Sequence, residues 1–263
     1  MERQRITWDP AKYVQFGNFR DRPFFDLTGR IAALSPRRVV DLGCGPGTLT
    51  AALARRWPDA DVVGVDSSAE MVATAGAMAD RPANLSFEQG DIAGWMPEPG
   101  TDVLVSNAAL QWVPGHQDLM RRWLAVLEPG AWLAVQVPGN FASPSHVLMR
   151  QLAESARWSE ALDGVLRHDD AVWEPGQYQQ LLLHAGCDAD VWESTFHQLL
   201  AGERPVLEWV RGTALRPVMA ALDTAEGEAF EAEYAKRLGA AYPPGPDGTI
   251  FPFRRIFMVG RKR

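Results

Sequence analysis

The chain has 263 residues, 46% hydrophobic and 22% charged, with a formal net charge of −7. Those proportions belong to a soluble globular protein with a sizeable core and exclude a disordered or fibrous chain. The acidic balance argues against nucleic acid or an anionic membrane as partner, since their phosphates favour a basic face, while a local cluster of arginines can still hold a small anion.

In chain order, Arg38–Leu42 is a short apolar run ending at a glycine-rich loop, which reads as a buried strand. Thr48–Trp57 carries an apolar stripe at Leu49, Ala52, Leu53 and Trp57, a helix stopped by Pro58. Strand Asp61–Asp66, helix Ser68–Ala79 capped by Ser67 or Ser68, and strand Asn84–Glu88 follow. Then come strand Asp102–Ser106, helix His116–Leu127 and, after Pro129-Gly130, strand Trp132–Val137. This alternation predicts a parallel sheet covered on both faces, with the strand C-termini opening on one crevice.

After Pro138 the rhythm changes. Pro144–Arg157, Pro175–His184, Arg204–Gly212 and Thr224–Leu238 read as helices, and Cys187–Gln198 and Thr249–Gly260 as strands. With no repeat and no low-complexity linker, the expectation is one domain: residues 1–34 closing the cofactor site, 35–142 the cofactor-binding core, 143–186 and 204–242 a helical cap, and 187–198 and 249–260 two final antiparallel strands.

The glycine loop Asp41-Leu42-Gly43-Cys44-Gly45-Pro46-Gly47 leaves a strand and enters a helix. In a dinucleotide-binding loop the third glycine falls at the sixth position of the pattern, and here that position is Thr48. An acid, Asp41, precedes the first glycine, which suits a ligand carrying positive charge better than a pyrophosphate. S-adenosylmethionine carries an ammonium and a sulfonium. Asp66 ends the second strand, about 20 residues on, where a carboxylate can accept ribose hydroxyls. Asp91 follows the third strand and Asn107 ends the fourth, so four polar groups fall at successive strand ends. An Asp taken alone is most often a turn or cap residue; the repetition at strand ends argues for a ligand.

Cys44 and Cys187 are far apart and lack metal-ligand spacing, so no metal and no disulfide are expected, and a reducing cytoplasm fits. Met1–Arg5 leads into no secretory apolar run, and no segment approaches the roughly 20 apolar residues of a membrane span. Cys44 reads as a small packing residue of the loop, not a nucleophile. His116 reads as a capping or packing residue, and Trp57, Trp123 and Trp132 as core.

Asp41–Gly47, Asp66-Ser67-Ser68, Gly90-Asp91-Ile92 and Asn107-Ala108-Ala109-Leu110-Gln111-Trp112 resemble the successive cofactor motifs of class I S-adenosylmethionine-dependent methyltransferases. Over its whole length the chain resembles, within that class, the trans-aconitate 2-methyltransferase family. The residues that carry this are Trp8-Asp9-Pro10, Tyr13, Phe16, Arg20, Arg22-Pro23, His146–Arg150, Glu208-Trp209-Val210, Gly212, Leu215-Arg216-Pro217, Tyr242-Pro243 and Arg255-Ile256-Phe257.

The resemblance implies a Rossmann-like, mostly parallel seven-stranded sheet of order 3-2-1-4-5-7-6 with a helical cap. It implies that Gly43 and Gly45 lie against the methionine moiety, with Asp41 and the backbone of Asn107 toward its amino group. Asp66, beside Ser67, would hold the ribose, Met71 would pack near the adenine, and Asp91 and Ile92 would address its edge. Tyr13 and Arg20 would close over the cofactor, and Gln111 and Trp112 would line the floor where cofactor and substrate meet. The implied acceptor is a small polycarboxylate, and a monomer or weak homo-oligomer is expected. Neighbouring readings are a malonyl-thioester carboxyl methyltransferase and a methyltransferase of another small molecule.

Methylating a carboxylate needs no general base, because a group of pKa about 4 is already ionised at neutral pH. A negative oxygen and a positive sulfur neutralise each other as they react, so a cation on the attacking carboxylate would stabilise the ground state more than the transition state. Arginines are therefore expected on the carboxylates that do not react: Arg22, Arg150, Arg216 and Arg255. Neutral donors are expected on the one that does: Tyr242, Trp112, Gln136 and His146. Against this, Arg22 can simply pair with Asp21 or Asp26, and Arg150 can be a solvated surface residue.

Overall fold

The computed structural model describes residues 17–166 and 171–263, the first four of these by their backbone alone. The strands are β1 (Arg38–Leu42), β2 (Asp61–Asp66), β3 (Leu85–Gln89), β4 (Thr101–Asn107), β5 (Trp132–Pro138), β6 (Cys187–Leu200) and β7 (Thr249–Lys262). They form one sheet in the order β3-β2-β1-β4-β5-β7-β6, as expected. β1 pairs in parallel with β2 and β4, and β2–β3 and β4–β5 are parallel as well. At the far edge the hydrogen bonds join the start of β5 to the end of β7, Gly130 to Lys262, and the end of β5 to the middle of β7, Gly139 to Arg254; that pairing is antiparallel. The central parallel strands β1, β2 and β4 are apolar on both faces because both are covered, Val39, Val40, Leu42, Val62, Val65 and Val103–Val105 all being buried, whereas the edge strand β3 is largely exposed.

The helices are α1 (Gly17–Thr28), α2 (Thr48–Arg56), α3 (Ala69–Gly76), α4 (His116–Val126), α5 (Pro144–Ala153), α6 (Pro175–His184), α7 (Pro205–Arg211), α8 (Arg216–Ala221) and α9 (Thr224–Ala241). Ser68 is the N-cap of α3, its Oγ accepting the Met71 N–H at 3.3 Å. α5, α6, α7 and α8 each carry proline in their first two positions, where its missing N–H costs nothing.

Three helix ends differ from expectation by three residues or more, one being α9, which runs to Ala241 instead of Leu238. α3 stops at Gly76 instead of Ala79, glycine being a poor helix interior residue. α5 stops at Ala153 instead of Arg157, where the Ser155 hydroxyl donates to the Leu152 carbonyl and turns the chain. α8 was not expected: six residues are too few for an apolar period to show.

The chain forms two compact units. The first holds the described residues up to Val137 together with Trp173–Glu193 and Ile256–Arg263, and so all of β1 to β4 with α1 to α4 and α6. The second holds described residues within Pro138–Val172 and Ser194–Arg255, and so α5, α7, α8 and α9 with the remaining lengths of β6 and β7. The second unit has an aromatic core of its own. Tyr242 meets Phe251 edge-on at 5.3 Å, Trp209 lies 5.6 Å from Phe253, and Trp158 meets Phe230 at 5.1 Å. Two tyrosines fix the start of α5 there: Tyr234 donates to the Ser145 carbonyl at 2.8 Å, and the Tyr242 hydroxyl accepts the Ser145 N–H at 3.1 Å.

Candidate active site

In the first unit, β1 delivers the glycine loop to the C-terminal edge of the sheet. The loop is pinned from behind: Gly43 and Cys44 donate to the Val65 carbonyl at 2.8 and 3.1 Å. Gly43 is where another element comes closest, since a Cβ there would lie 2.3 Å from that of Ala109 in the loop after β4. Gly45 differs. Its φ of +56°, like the +80° of Gly43, favours glycine, but a Cβ there would meet nothing within 4 Å among the described residues. The backbone at Gly45 thus faces open space of the kind a ligand requires.

Two carboxylates back this loop. Asp66, at the end of β2, accepts the Gly45 N–H through Oδ2 and the Ser68 N–H through Oδ1, both at 2.9 Å, and so ties the loop to the N-terminus of α3. Asp41 is buried at 3% exposure and accepts the Thr50 hydroxyl at 2.7 Å. Burial pushes the Asp41 carboxyl up to about 6; the Thr50 hydrogen bond opposes the rise and the Asp66 charge adds to it. Thr50 escaped the sequence reading, although a hydroxyl three positions into α2, on its buried side, is a natural partner for an acid in the preceding strand. Burial and the same two carboxylates push the Cys44 thiol far above its ordinary range, which keeps it protonated and unreactive.

Met71 is buried on α3, and Ile92 approaches Gly43, its Cδ1 being 3.6 Å from where a Cβ would lie. Asp91 is exposed and caps the short 3-10 turn Ile92–Gly94, accepting the Ala93 N–H at 2.9 Å. Ser67 is exposed beside Asp66.

The end of β4 and the loop after it contribute two acceptors without partners among the described residues. Ala108 sits at φ +56°, its N–H bonded to the Gln136 carbonyl, and the Gln111 amide nitrogen donates to the Ala108 carbonyl at 2.6 Å. That leaves Asn107 Oδ1 and Gln111 Oε1 buried with no hydrogen-bond donor among the described residues. Buried carbonyl oxygens without donors are costly, and a cationic ligand relieves them. Open backbone at Gly45, two carboxylates and two unserved carbonyl oxygens are a donor set that fits a ligand bearing an ammonium and a sulfonium. Trp112 is half-buried and Gln136 fully buried in the same unit.

The expected substrate residues separate by environment. Arg22 is 72% exposed on α1 and pairs with Asp26 at 3.7 Å. The other five lie in the second unit. Arg150 is half-buried and donates to the Phe141 carbonyl at 2.8 Å, so it is not a solvated surface residue. His146, half-buried on α5 against the Phe141 ring at 5.4 Å, is pushed down to about 4 by burial and by the Arg150 charge, and is neutral at pH 7. Arg216 opens α8. Tyr242 lies in the aromatic cluster, and Arg255 is 3% exposed with its guanidinium 4.7 Å above the centre of the Phe253 ring. Tyr13 lies outside the described residues, as does the side chain of Arg20 on α1. Two further buried amides went unnoticed in the sequence. Among the described residues, Asn140 accepts the Arg254 N–H through Oδ1 with its own Nδ2 unserved, and Gln198 on β6 has neither amide atom bonded.

Residues 39–130 match the family model described as a methyltransferase domain. Trans-aconitate 2-methyltransferase of Rhodococcus jostii is 55% identical over 97% of this chain and 99% of its own length. That of Streptomyces avermitilis is 52% identical over 97% of each. Among solved structures, Haemonchus contortus phosphoethanolamine N-methyltransferase 2, in complex with phosphomonomethylethanolamine and S-adenosylhomocysteine, superposes with a TM-score of 0.57 at 17% identity, over 97% of this chain and 57% of that one. The fold is thus that of class I methyltransferases, and at such identity over nearly the full length of both proteins the chain belongs to the trans-aconitate 2-methyltransferase family.

Proposed function

We propose that the protein transfers the methyl group of S-adenosylmethionine to one carboxylate of trans-aconitate, forming a monomethyl ester. The observation that carries this reading is the 55% identity to a trans-aconitate 2-methyltransferase across both units, not the cofactor half alone. When bound, the cofactor supplies an electrophilic methyl group on sulfur.

Gly43 and Gly45 receive the methionine part against bare backbone, and Asp41 with the Asn107 loop meets its ammonium. Asp66 takes the ribose with Ser67 beside it, while Met71, Asp91 and Ile92 hold the adenine; Gln111 and Trp112 bound the methyl-bearing end. Tyr13 and Arg20 belong to the same reading, as the segment that closes the site. None of these groups moves a proton, and none needs to. The work of the chain is alignment and exclusion of water, worth roughly 7–11 kcal/mol when reacting atoms are held in near-attack geometry. The arginines, with Arg255 foremost, pair with carboxylates that do not react, and neutral Tyr242 and His146 orient the one that does. The partner is a small polycarboxylate; nucleic acid and membrane play no part, and the protein acts in the cytoplasm as a monomer or weak homo-oligomer.

The test is incubation of the purified protein with methyl-labelled cofactor and a panel of di- and tricarboxylates, with ester formation followed by mass spectrometry. Labelling of trans-aconitate above the rest of the panel is expected. Labelling of a malonyl-carrier protein alone overturns the reading.

A further inference from the structure

Gln198 is 2% exposed, and both its Nε2 and its Oε1 are buried without a hydrogen-bond partner among the described residues. An unserved buried polar atom is rare in a folded protein, and two on one side chain call for a ligand or for a cost that an apolar residue would avoid. Inside the second unit, the surroundings of Gln198 indicate the ligand's chemistry. Gly248 lies against the Leu200 carbonyl, where a Cβ would come within 2.7 Å, so β6 and β7 run alongside each other here. Gln198 and Leu200 on β6, with Thr249, Phe251, Phe253 and Arg255 on β7, are the buried alternate positions, while Leu199 and Ile250 are exposed. Residues diagonal to one another across paired strands on one face lie about 7–8 Å apart; Arg255, seven residues beyond Gly248, has its backbone outside that range of Gln198, and only its side chain can reach back. The Arg255 guanidinium does not extend away from this face but lies 4.7 Å over the Phe253 ring, and Phe253 in turn lies 5.8 Å from Phe251. A cation and a neutral amide donor therefore share one buried face floored by aromatic rings. A carboxylate is the group that both can serve, because it accepts from guanidinium and amide N–H together.

We propose that Gln198 is a substrate-reading residue, its amide nitrogen donating to the carboxylate that pairs with Arg255, so that it selects acceptors carrying that carboxylate. The inference rests on the polycarboxylate reading above and adds a contact to it. A neutral amide suits the role: it adds direction without further positive charge. Its carbonyl oxygen, which a carboxylate cannot serve, takes an N–H of the guanidinium as the two side chains close on the same group.

The test compares wild type with Gln198→Leu and Gln198→Met, similar in volume and without the amide. Three readouts are taken: kcat and KM for trans-aconitate, the calorimetric Kd for S-adenosylhomocysteine, and Tm. A hydrogen bond to a charged group corresponds to about 10- to 100-fold in binding, so KM is expected to rise at least about tenfold. The Kd is expected to stay unchanged and Tm to hold or rise, since two unserved polar atoms are removed. Mesaconate, glutaconate and itaconate each lack a different carboxylate of trans-aconitate. The wild-type preference for the tricarboxylate over one of the three is expected to collapse in both variants. Wild-type KM in both variants, or a loss of Tm accompanied by parallel losses in KM and Kd, overturns the assignment. If the wild type methylates another polycarboxylate of the panel in place of trans-aconitate, the functional reading fails and the same comparison is made with that acid. If it methylates none, both fall.

Discussion

Asp66 holds the Gly45 backbone: its Oδ2 accepts the Gly45 N–H at 2.9 Å, while Oδ1 holds the Ser68 N–H at the start of α3. One carboxylate thus spans the two segments that flank the cofactor cradle. A carboxylate has about four lone-pair directions, so two remain for ribose hydroxyls.

Asp66→Ala is expected to weaken binding of S-adenosylhomocysteine by about 10- to 100-fold, from loss of charged hydrogen bonds to ligand and loop together. The sheet does not depend on this side chain, so far-UV circular dichroism should be preserved. Asp66→Asn keeps one acceptor and should fall between. Calorimetric affinity equal to wild type in Asp66→Ala would refute the role.

Gly43 and Gly45 should fail in different ways when given a methyl group. Gly45→Ala puts a Cβ into open space at φ +56°, costing about 1–2 kcal/mol of backbone strain and intruding on the cradle, so cofactor affinity should drop more than stability. Gly43→Ala drives its Cβ to 2.3 Å from that of Ala109, an atom fixed to backbone, so stability itself should fall. The double variant Gly43→Ala, Ala109→Gly removes the collision and should recover part of the lost Tm, the backbone strain of alanine at φ +80° remaining. Additive losses in the double variant would show that the two loops do not meet there.

The parallel half of the sheet could be read from the sequence because each strand is a short apolar run that ends at a residue with chemistry: Asp41, Asp66, Asn107. The outer half was less legible for physical reasons. β6 and β7 are long and change surroundings along their length, so neither an alternating nor a continuous apolar pattern dominates. Trp192, Phe196 and Leu200 mark the parity of Gln198 as the covered one, but a lone glutamine there reads as a break in the pattern and not as a site. The arginines show the same limit. Arg22 and Arg255 looked alike as candidates, yet one is a solvated partner of Asp26 and the other lies buried over Phe253. Tertiary packing decides that difference, and no spacing rule encodes it.

That contrast makes a prediction. Arg255→Ala is expected to raise KM for the tricarboxylate by about tenfold or more, with the S-adenosylhomocysteine Kd little changed, because a buried charged contact is lost. Arg22→Ala removes an exposed pair worth at most about 1 kcal/mol to the fold and should shift KM far less. Steady-state kinetics of the two variants side by side check the ranking, and equal effects would remove Arg255 from its carboxylate.

Asp41 and His146 tie stability to pH with opposite signs. The Asp41 carboxyl stands at about 6 in the fold against about 3.9 in an unfolded chain, so the fold holds its proton more tightly. Its contribution is fully present below pH ~4 and is lost as pH rises through 6, by about 2–3 kcal/mol in all. His146 stands at about 4 against an unfolded value of about 6.5, so the unfolded chain binds the proton more tightly, and stability falls as pH drops from about 6.5 toward 4. Over the shared window the two slopes oppose each other. Asp41→Asn keeps an acceptor for Thr50 but removes the titrating group. Its stability at pH 7.5 is expected to exceed that of wild type, and a steeper loss on acidification below pH 6.5 should be unmasked. The same variant should bind S-adenosylhomocysteine more weakly, because it lacks the charge proposed to meet the ligand's ammonium. Urea unfolding from pH 4 to 8, with calorimetry at pH 7.5, separates the two effects. A variant less stable than wild type at pH 7.5 would mean that Asp41 supports the fold as a carboxylate and is not held there for the ligand.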